Sequence, residues 1–234
     1  MKVICFLIGC LLLPLAAALT RTVWFLLSDM DATDGYLIPR PTLALLTGFL
    51  TWLAAYWFLP RPVLTYVLAH ELTHALWGAI MGASVLRIRV GHKGGSVSLS
   101  KSNAMITLAP YFFPLYAVIV ILTYYVLSLF FDLRPYTLVW LALTGCAWGF
   151  HVTFTLQCLW EGQSDIRIYG RLFSYTVIYL FNLLGLALWA VLVSDLTLDT
   201  FIQRLAADLT AVGVWCRSSV ADILRRGAEH WATP

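Results

Sequence analysis

The chain has 234 residues, of which 61% are hydrophobic and only 12% are charged, and its mean hydropathy is +0.83. Because soluble domains carry about 25% charged residues, this composition excludes an ordinary soluble domain and predicts a multi-pass integral membrane protein. The formal net charge of +3, without a basic patch that contains aromatic residues, argues against nucleic acid as a partner. The expected surroundings are the lipid bilayer, in a cytoplasmic membrane of the bacterial type.

Six apolar segments are long enough to cross a hydrocarbon core of about 30 Å. They cover approximately residues 3–27, 42–59, 63–83, 104–131, 136–160 and 166–193. The first segment contains three consecutive alanines at 16–18, a pattern that also occurs in cleaved signal peptides. We expect a retained helix instead, because apolar residues resume after Arg21. Pro110 and Pro114 predict a kink in the fourth segment.

Two regions outside these segments have a periodicity of their own. Residues 85–90 and 96–100 alternate polar and apolar side chains around a glycine-containing turn, which predicts a β-hairpin between the third and fourth segments. In the tail, apolar residues recur at helical spacing from Leu198 to Val212. This predicts one or two amphipathic helices, either on the membrane surface or packed on the other helices. The predicted fold class is an all-α polytopic membrane protein with about six transmembrane helices, a β-hairpin and an amphipathic helical tail.

Residues 70–74 form an H-E-x-x-H motif inside the third apolar segment. On an α-helix, His70 and His74 lie on one face, so both can bind the same metal ion. Glu71 is placed to accept a proton from a water molecule bound to that metal. Ionisable side chains are costly to bury in a membrane, and this cost favours a functional site. The alternative is a structural helix whose histidines hydrogen-bond to neighbouring helices.

The metal ligands must include a third residue from elsewhere in the chain, because catalytic zinc takes three protein ligands and keeps one open position. We select Asp165, which lies at the start of the sixth helix on the same side as the predicted hairpin. The pair Ser164-Asp165 can also be an ordinary helix N-cap. The other candidates for the third ligand are Glu161, His151, Asp132 and His92.

Small residues continue the face of the helix that carries the motif. Steps of four lead from His70 and His74 to Gly78 and Gly82. A strip of small side chains lets a second backbone come close, so a partner helix or a substrate segment can approach the metal here. Ordinary helix packing is the alternative interpretation.

The order of these features resembles the site-2 protease family of intramembrane zinc metalloproteases. An H-E-x-x-H motif in a transmembrane helix, a β-hairpin directly after it, and Ser164-Asp165 two crossings later match in order over residues 63–193. Two details depart from the family pattern. Asp165 stands in Gln-Ser-Asp-Ile rather than in Leu-Asp-Gly after an Asn-Pro-rich stretch, and the helix after the hairpin lacks the usual Gly-Pro start and nearby Asn. The chain is similar to a divergent member.

This resemblance implies a Zn²⁺ ion held by His70, His74 and Asp165, with Glu71 as the catalytic residue. It also implies hydrolysis of peptide bonds in a transmembrane protein substrate. Residues 1–61 would form N-terminal transmembrane helices, 62–194 a metalloprotease-like membrane core, and 195–234 the amphipathic tail. The alternatives are a catalytically inactive scaffold or chaperone with a protease-like fold, and a metal-handling channel or transporter.

Overall fold

The computed structural model describes residues 2–28, 40–92, 94–194 and 196–232. Its α-helices are α1 (Lys2–Ser28), α2 (Arg40–Phe58), α3 (Val63–Ile80), α4 (Ala104–Leu108), α5 (Leu115–Ser128), α6 (Thr137–Glu161), α7 (Ser164–Ile168), α8 (Arg171–Val193) and α9 (Leu198–Ala232). Strands β1 (Val85–Gly91) and β2 (Gly94–Leu99) lie between α3 and α4. The predicted all-α character with a hairpin at this position is confirmed.

Within the described residues, four helices, α1, α2, α6 and α8, are long and apolar enough to cross a membrane. Helices α4 and α5, which are bent by 80° against each other, are together also long and apolar enough and would form a fifth span if they cross as one. Pro110 lies in a short 3-10 turn and Pro114 directly precedes α5, so the predicted kink is confirmed. Helix α3 is not among the candidate spans, and the polar side chains of its motif lower its hydropathy. The crossing of all six predicted segments stays a prediction.

Helix α2 packs along α6 at very short range because both helices present glycines. A methyl group at Gly48 would collide with the backbone of Ala142, and one at Gly145 would collide with the backbone of Leu45. Such close approach is typical of helix pairs in membranes, where small residues replace the hydrophobic effect as the source of tight packing. Helix α6 of this pair contacts α3, where the ring of Tyr66 stacks on Phe154.

A second core joins α1, α8 and the first half of α9. Leu26, Ala190 and Phe201 are buried in it. The tail is one continuous helix of 35 residues, and its first half packs on another helix, which is one of the two predicted arrangements. Asp208 of α9 is 3% exposed. Its carboxylate accepts hydrogen bonds from Arg21 Nε at 3.2 Å and Thr22 Oγ1 at 3.0 Å on α1.

The hairpin lies against α3, and its register determines which residues cover the motif. The strands are antiparallel, with Ile88 opposite Val97. Strand β2 follows the helix, so that Leu99 contacts Gly78 and Gly95 lies over Glu71. A Cβ atom at Gly78 would stand 2.9 Å from a methyl carbon of Leu99. The small residue at 78 on the motif face is therefore covered by the chain's own strand.

Candidate metal centre

The structure brings the three predicted ligands together from two distant elements. His70 and His74 are one turn apart on α3, and their Nε2 atoms are 3.2 Å from each other. Oδ2 of Asp165, on α7, lies 3.5 Å from each of these nitrogens. Among the described residues, this is the one group of His, Cys, Asp or Glu side chains close enough to hold a metal ion.

The triangle formed by these three atoms fits a zinc ion. In tetrahedral coordination with bonds of about 2.0–2.1 Å, neighbouring ligand atoms stand about 3.3–3.4 Å apart. The observed edges of 3.2, 3.5 and 3.5 Å lie close to this range. Two imidazoles and one carboxylate are also a donor set found in catalytic zinc sites, where the fourth position stays open. The three residues could therefore hold a metal ion, and their donor distances are compatible with Zn²⁺.

His74 is oriented by a backbone carbonyl. Its Nδ1 lies 2.9 Å from the oxygen of Ile106 in α4. Because a carbonyl oxygen only accepts hydrogen bonds, Nδ1 carries the proton, and the lone pair of Nε2 faces the centre. Helix α4 is itself capped by Asn103, whose Oδ1 accepts a bond from the amide of Ile106 at 2.9 Å. The segment after the hairpin thus orients Nε2 of His74, one of the candidate metal-binding nitrogens.

His70 is oriented by a side chain instead. Its Nδ1 lies 3.1 Å from the hydroxyl of Tyr66, one turn earlier on α3. The same hydroxyl lies 2.8 Å from the sulfur of Cys158 on α6. The Nδ1 partner is therefore a hydroxyl group at His70 and a backbone carbonyl at His74, although the Nε2 atoms of both histidines face each other and Asp165.

Asp165 reaches the centre because α7 is a short helix between two glycine-dependent turns. Gly162 ends α6 with φ +67° and Gly170 precedes α8 with φ +92°, and both values lie where glycine is favoured. Gln163, not Ser164 or Asp165, is the N-cap of α7, so the alternative N-cap role is not what this carboxylate does. Its Oδ2 accepts a hydrogen bond from Tyr111 Oη at 3.1 Å.

The surroundings of Asp165 favour its charged form. Burial acts to raise the pKa of this carboxyl, but hydrogen bonds and charge interactions with His70 and His74 outweigh burial and hold the pKa below its usual range. An ionised carboxylate is the form that binds a metal. The interactions that lower this pKa place a proton on Nε2 of the histidines, so they describe the metal-free site, in which Asp165 is already ionised.

Glu71 lies beside the triangle and is 6% exposed. Strand β2 passes so close that a Cβ atom at Gly95 would stand 2.6 Å from Cγ and 2.7 Å from Oε1 of Glu71. Glu71 and the three candidate ligands line one cavity of about 600 Å³. The other polar residues that line this cavity are Ser96, Ser98, Ser102, Thr107, Gln163 and Ser164. The cavity can therefore hold a polar segment next to both the ligands and a carboxylate.

The other candidate ligands lie away from the triangle. Glu161 is exposed and accepts a bond from Gln157 at 2.8 Å, and Asp132 is exposed and paired with Arg134 at 2.9 Å. His92 is exposed in the hairpin turn. His151 is 8% exposed in α6; it lines a small cavity of about 20 Å³ together with His70 but does not belong to the group of three candidate ligands.

Several residues of the site were missed by sequence reasoning. Tyr66 carried a usable signal, because it precedes His70 by four residues and so shares its helix face. Tyr111 and the carbonyl of Ile106 carried none, since the bent connection between α4 and α5 determines where they lie. The sequence predicted Gly95 only as part of the hairpin turn and gave no sign that it lies against Glu71.

No family model, curated protein or solved structure matches this chain.

Proposed function

We propose that the chain is an intramembrane zinc metalloprotease that hydrolyses peptide bonds of membrane-embedded or membrane-proximal proteins. The triangle of His70, His74 and Asp165 is the observation that carries the proposal, because its edges of 3.2 to 3.5 Å suit a zinc ion. The position of Glu71 on the same cavity wall supports hydrolysis rather than metal storage.

Each residue then has a defined task. A bound zinc ion would supply Lewis acidity, which makes a water molecule acidic near neutral pH and polarises a carbonyl group. His70, His74 and Asp165 hold that ion through Nε2, Nε2 and Oδ2. The carboxylate of Glu71 accepts the proton from the attacking water and delivers it to the leaving amine nitrogen. Strand β2 keeps the Glu71 side chain on the cavity side.

The walls of the cavity favour an unwound peptide as the substrate. A helical membrane segment hides its amides in internal hydrogen bonds, so cleavage requires local unwinding. Hydroxyl groups of Ser96, Ser98 and Thr107 line the cavity and can bind the amides that unwinding exposes. A single-pass transmembrane protein with helix-weakening residues is therefore the expected substrate class.

Glu71→Gln tests this assignment of roles. The variant should still bind about one zinc per chain, because Glu71 is not a ligand, and should lose peptide cleavage. Cleavage is measured on a panel of reporter proteins with single-pass segments that contain glycine or asparagine. Glu161→Gln is the matched control, since this exposed glutamate lies outside the cavity and should leave both properties unchanged. Continued cleavage by Glu71→Gln would refute the proposed role.

An inactive protease-like scaffold or chaperone is the second candidate. The departures around Asp165 and at the start of α4 favour it, because the chain lacks motif residues expected from the resemblance. Well-folded protein that takes up no zinc when zinc is supplied would support this function.

A further inference from the structure

We propose that Tyr66, supported by Cys158, is a positioning residue that accepts a hydrogen bond from Nδ1 of His70 when Nε2 of His70 binds the metal. The inference rests on the proposed zinc site, since it concerns how one ligand is oriented for the metal. Tyr66 does not line the cavity around Glu71, and its hydroxyl contacts Nδ1 of His70, so its effect on the site passes through His70.

The Tyr66 hydroxyl makes two contacts. It lies 3.1 Å from His70 Nδ1 and 2.8 Å from Cys158 Sγ. If Nε2 of His70 binds a metal, Nδ1 must carry the ring proton and donate it to the tyrosine oxygen. The phenol hydrogen is then free to point at the sulfur, which accepts it. A bound metal therefore selects this arrangement of protons over the reverse one, in which Nε2 would donate to His74 or Asp165.

This chain of hydrogen bonds connects the two parts of the metal centre. Cys158 lies in the last turn of α6, and its sulfur also accepts a bond from Gln163 Nε2 at 3.8 Å. Gln163 precedes the candidate ligand Asp165 by two residues. These hydrogen bonds therefore connect a candidate ligand on α3 with the turn that positions the candidate ligand on α7.

Packing holds the Tyr66 ring independently of its hydroxyl. The ring stacks on Phe154, with centroids 4.5 Å apart and planes 7° from parallel. Phe154 is 2% exposed and Cys158 is 3% exposed. Removal of the hydroxyl alone should therefore leave the ring in place. His74 offers no comparable test, because its partner is the backbone oxygen of Ile106.

Tyr66→Phe is the decisive variant, and zinc alone is the probe. In the detergent-solubilised full chain, competition with a chelator should show zinc affinity about 10–100-fold weaker than in the unaltered protein, the usual effect of losing such a partner. Tyr116→Phe is the matched control. Tyr116 lines the same small cavity as Tyr66 but donates its hydrogen bond to the backbone oxygen of Thr65. The zinc affinity of Tyr116→Phe should therefore stay within about twofold of that of the unaltered protein, as for a residue outside such a network.

A spectroscopic measurement separates positioning from general damage. Isotope-labelled histidine in the zinc-loaded protein reports the hydrogen bonds of the two Nδ1 protons. The Nδ1 proton of His70 should exchange slowly with solvent in the unaltered protein and faster in Tyr66→Phe, whereas the Nδ1 proton of His74, held by the oxygen of Ile106, should not change. Cys158→Ser, which can still accept the phenol hydrogen, should slow the exchange at His70 more than Cys158→Ala does.

Equal zinc affinity and an unchanged His70 proton in Tyr66→Phe would overturn the inference while leaving the proposed protease intact. Failure of the unaltered protein to bind zinc would instead remove the proposed function. Such a failure would overturn the present inference as well, and it differs from the first outcome because the unaltered protein itself would bind no zinc.

Discussion

At the scale of single residues, the centre depends on atoms that approach one another from two elements about ninety positions apart in sequence. The arrangement depends on Asp165, because its Oδ2 atom lies 3.5 Å from the Nε2 atoms of both His70 and His74. Its second stabilising contact is the hydroxyl of Tyr111 at 3.1 Å. The loss of either contact should weaken the metal site in a distinct way.

Asp165→Asn should lose most of its zinc, since a neutral amide is a much poorer ligand than a carboxylate. Tyr111→Phe should keep the carboxylate but lose its hydrogen bond, so zinc affinity should fall by about 10–100-fold. Both are measured by chelator competition in detergent. We expect Asp165→Asn to lose more zinc affinity than Tyr111→Phe. The reverse order would show that Asp165 is not a ligand.

At the level of elements, the hairpin limits the position of Glu71 through a single glycine, Gly95. Strand β2 passes over Glu71, and no side chain larger than hydrogen fits at Gly95 without displacing that carboxylate. The close contact explains why a glycine stands here although its neighbour Ser96 has a side chain. It also makes the hairpin a structural part of the centre, because it limits where Glu71 can point.

Gly95→Ala should therefore reduce peptide cleavage by about 100-fold, the effect of moving a catalytic group by roughly 1 Å. Zinc content should stay normal, because the three ligands do not touch Gly95. Gly91→Ala is the matched control in the same hairpin. A Cβ atom there meets its nearest neighbour, the oxygen of Gly94, at an ordinary 3.5 Å. Equal activity of the two variants would show that β2 does not position Glu71.

At the scale of the whole molecule, the tail is joined to α1 through a buried charge. Asp208 accepts bonds from Arg21 at 3.2 Å and from Arg204 at 3.0 Å. Asp208→Ala should lower the midpoint of thermal unfolding in detergent. The free energy of unfolding should fall by about 1.5–3 kcal/mol, the usual contribution of a hydrogen bond to a charged group. Asp222→Ala removes an exposed pair with Arg225 and should cost about 0–1 kcal/mol. Similar midpoints for both variants would mean that α9 is not held to α1 by this contact.

The sequence predicted those parts of the molecule that depend on short-range periodicity. The hairpin, the kink near Pro110 and the helical tail are examples, because each follows from spacing or from a single residue type. The approach of Asp165 to the histidines was selected from chemistry and predicted side, and the structure brings these residues together. The orienting contacts of Tyr111 and Ile106 could not be predicted, since they depend on the 80° bend between α4 and α5. No local pattern specifies the direction of such a bend.

The zinc content of the purified full chain should be measured beside that of His74→Ala, Asp165→Ala and Glu161→Gln. If His70, His74 and Asp165 form a zinc site, the unaltered protein and Glu161→Gln should contain about one zinc per chain, and the two ligand variants should contain little. Zinc retained by a folded Asp165→Ala protein, or absent from every well-folded sample after zinc is supplied, would contradict this assignment.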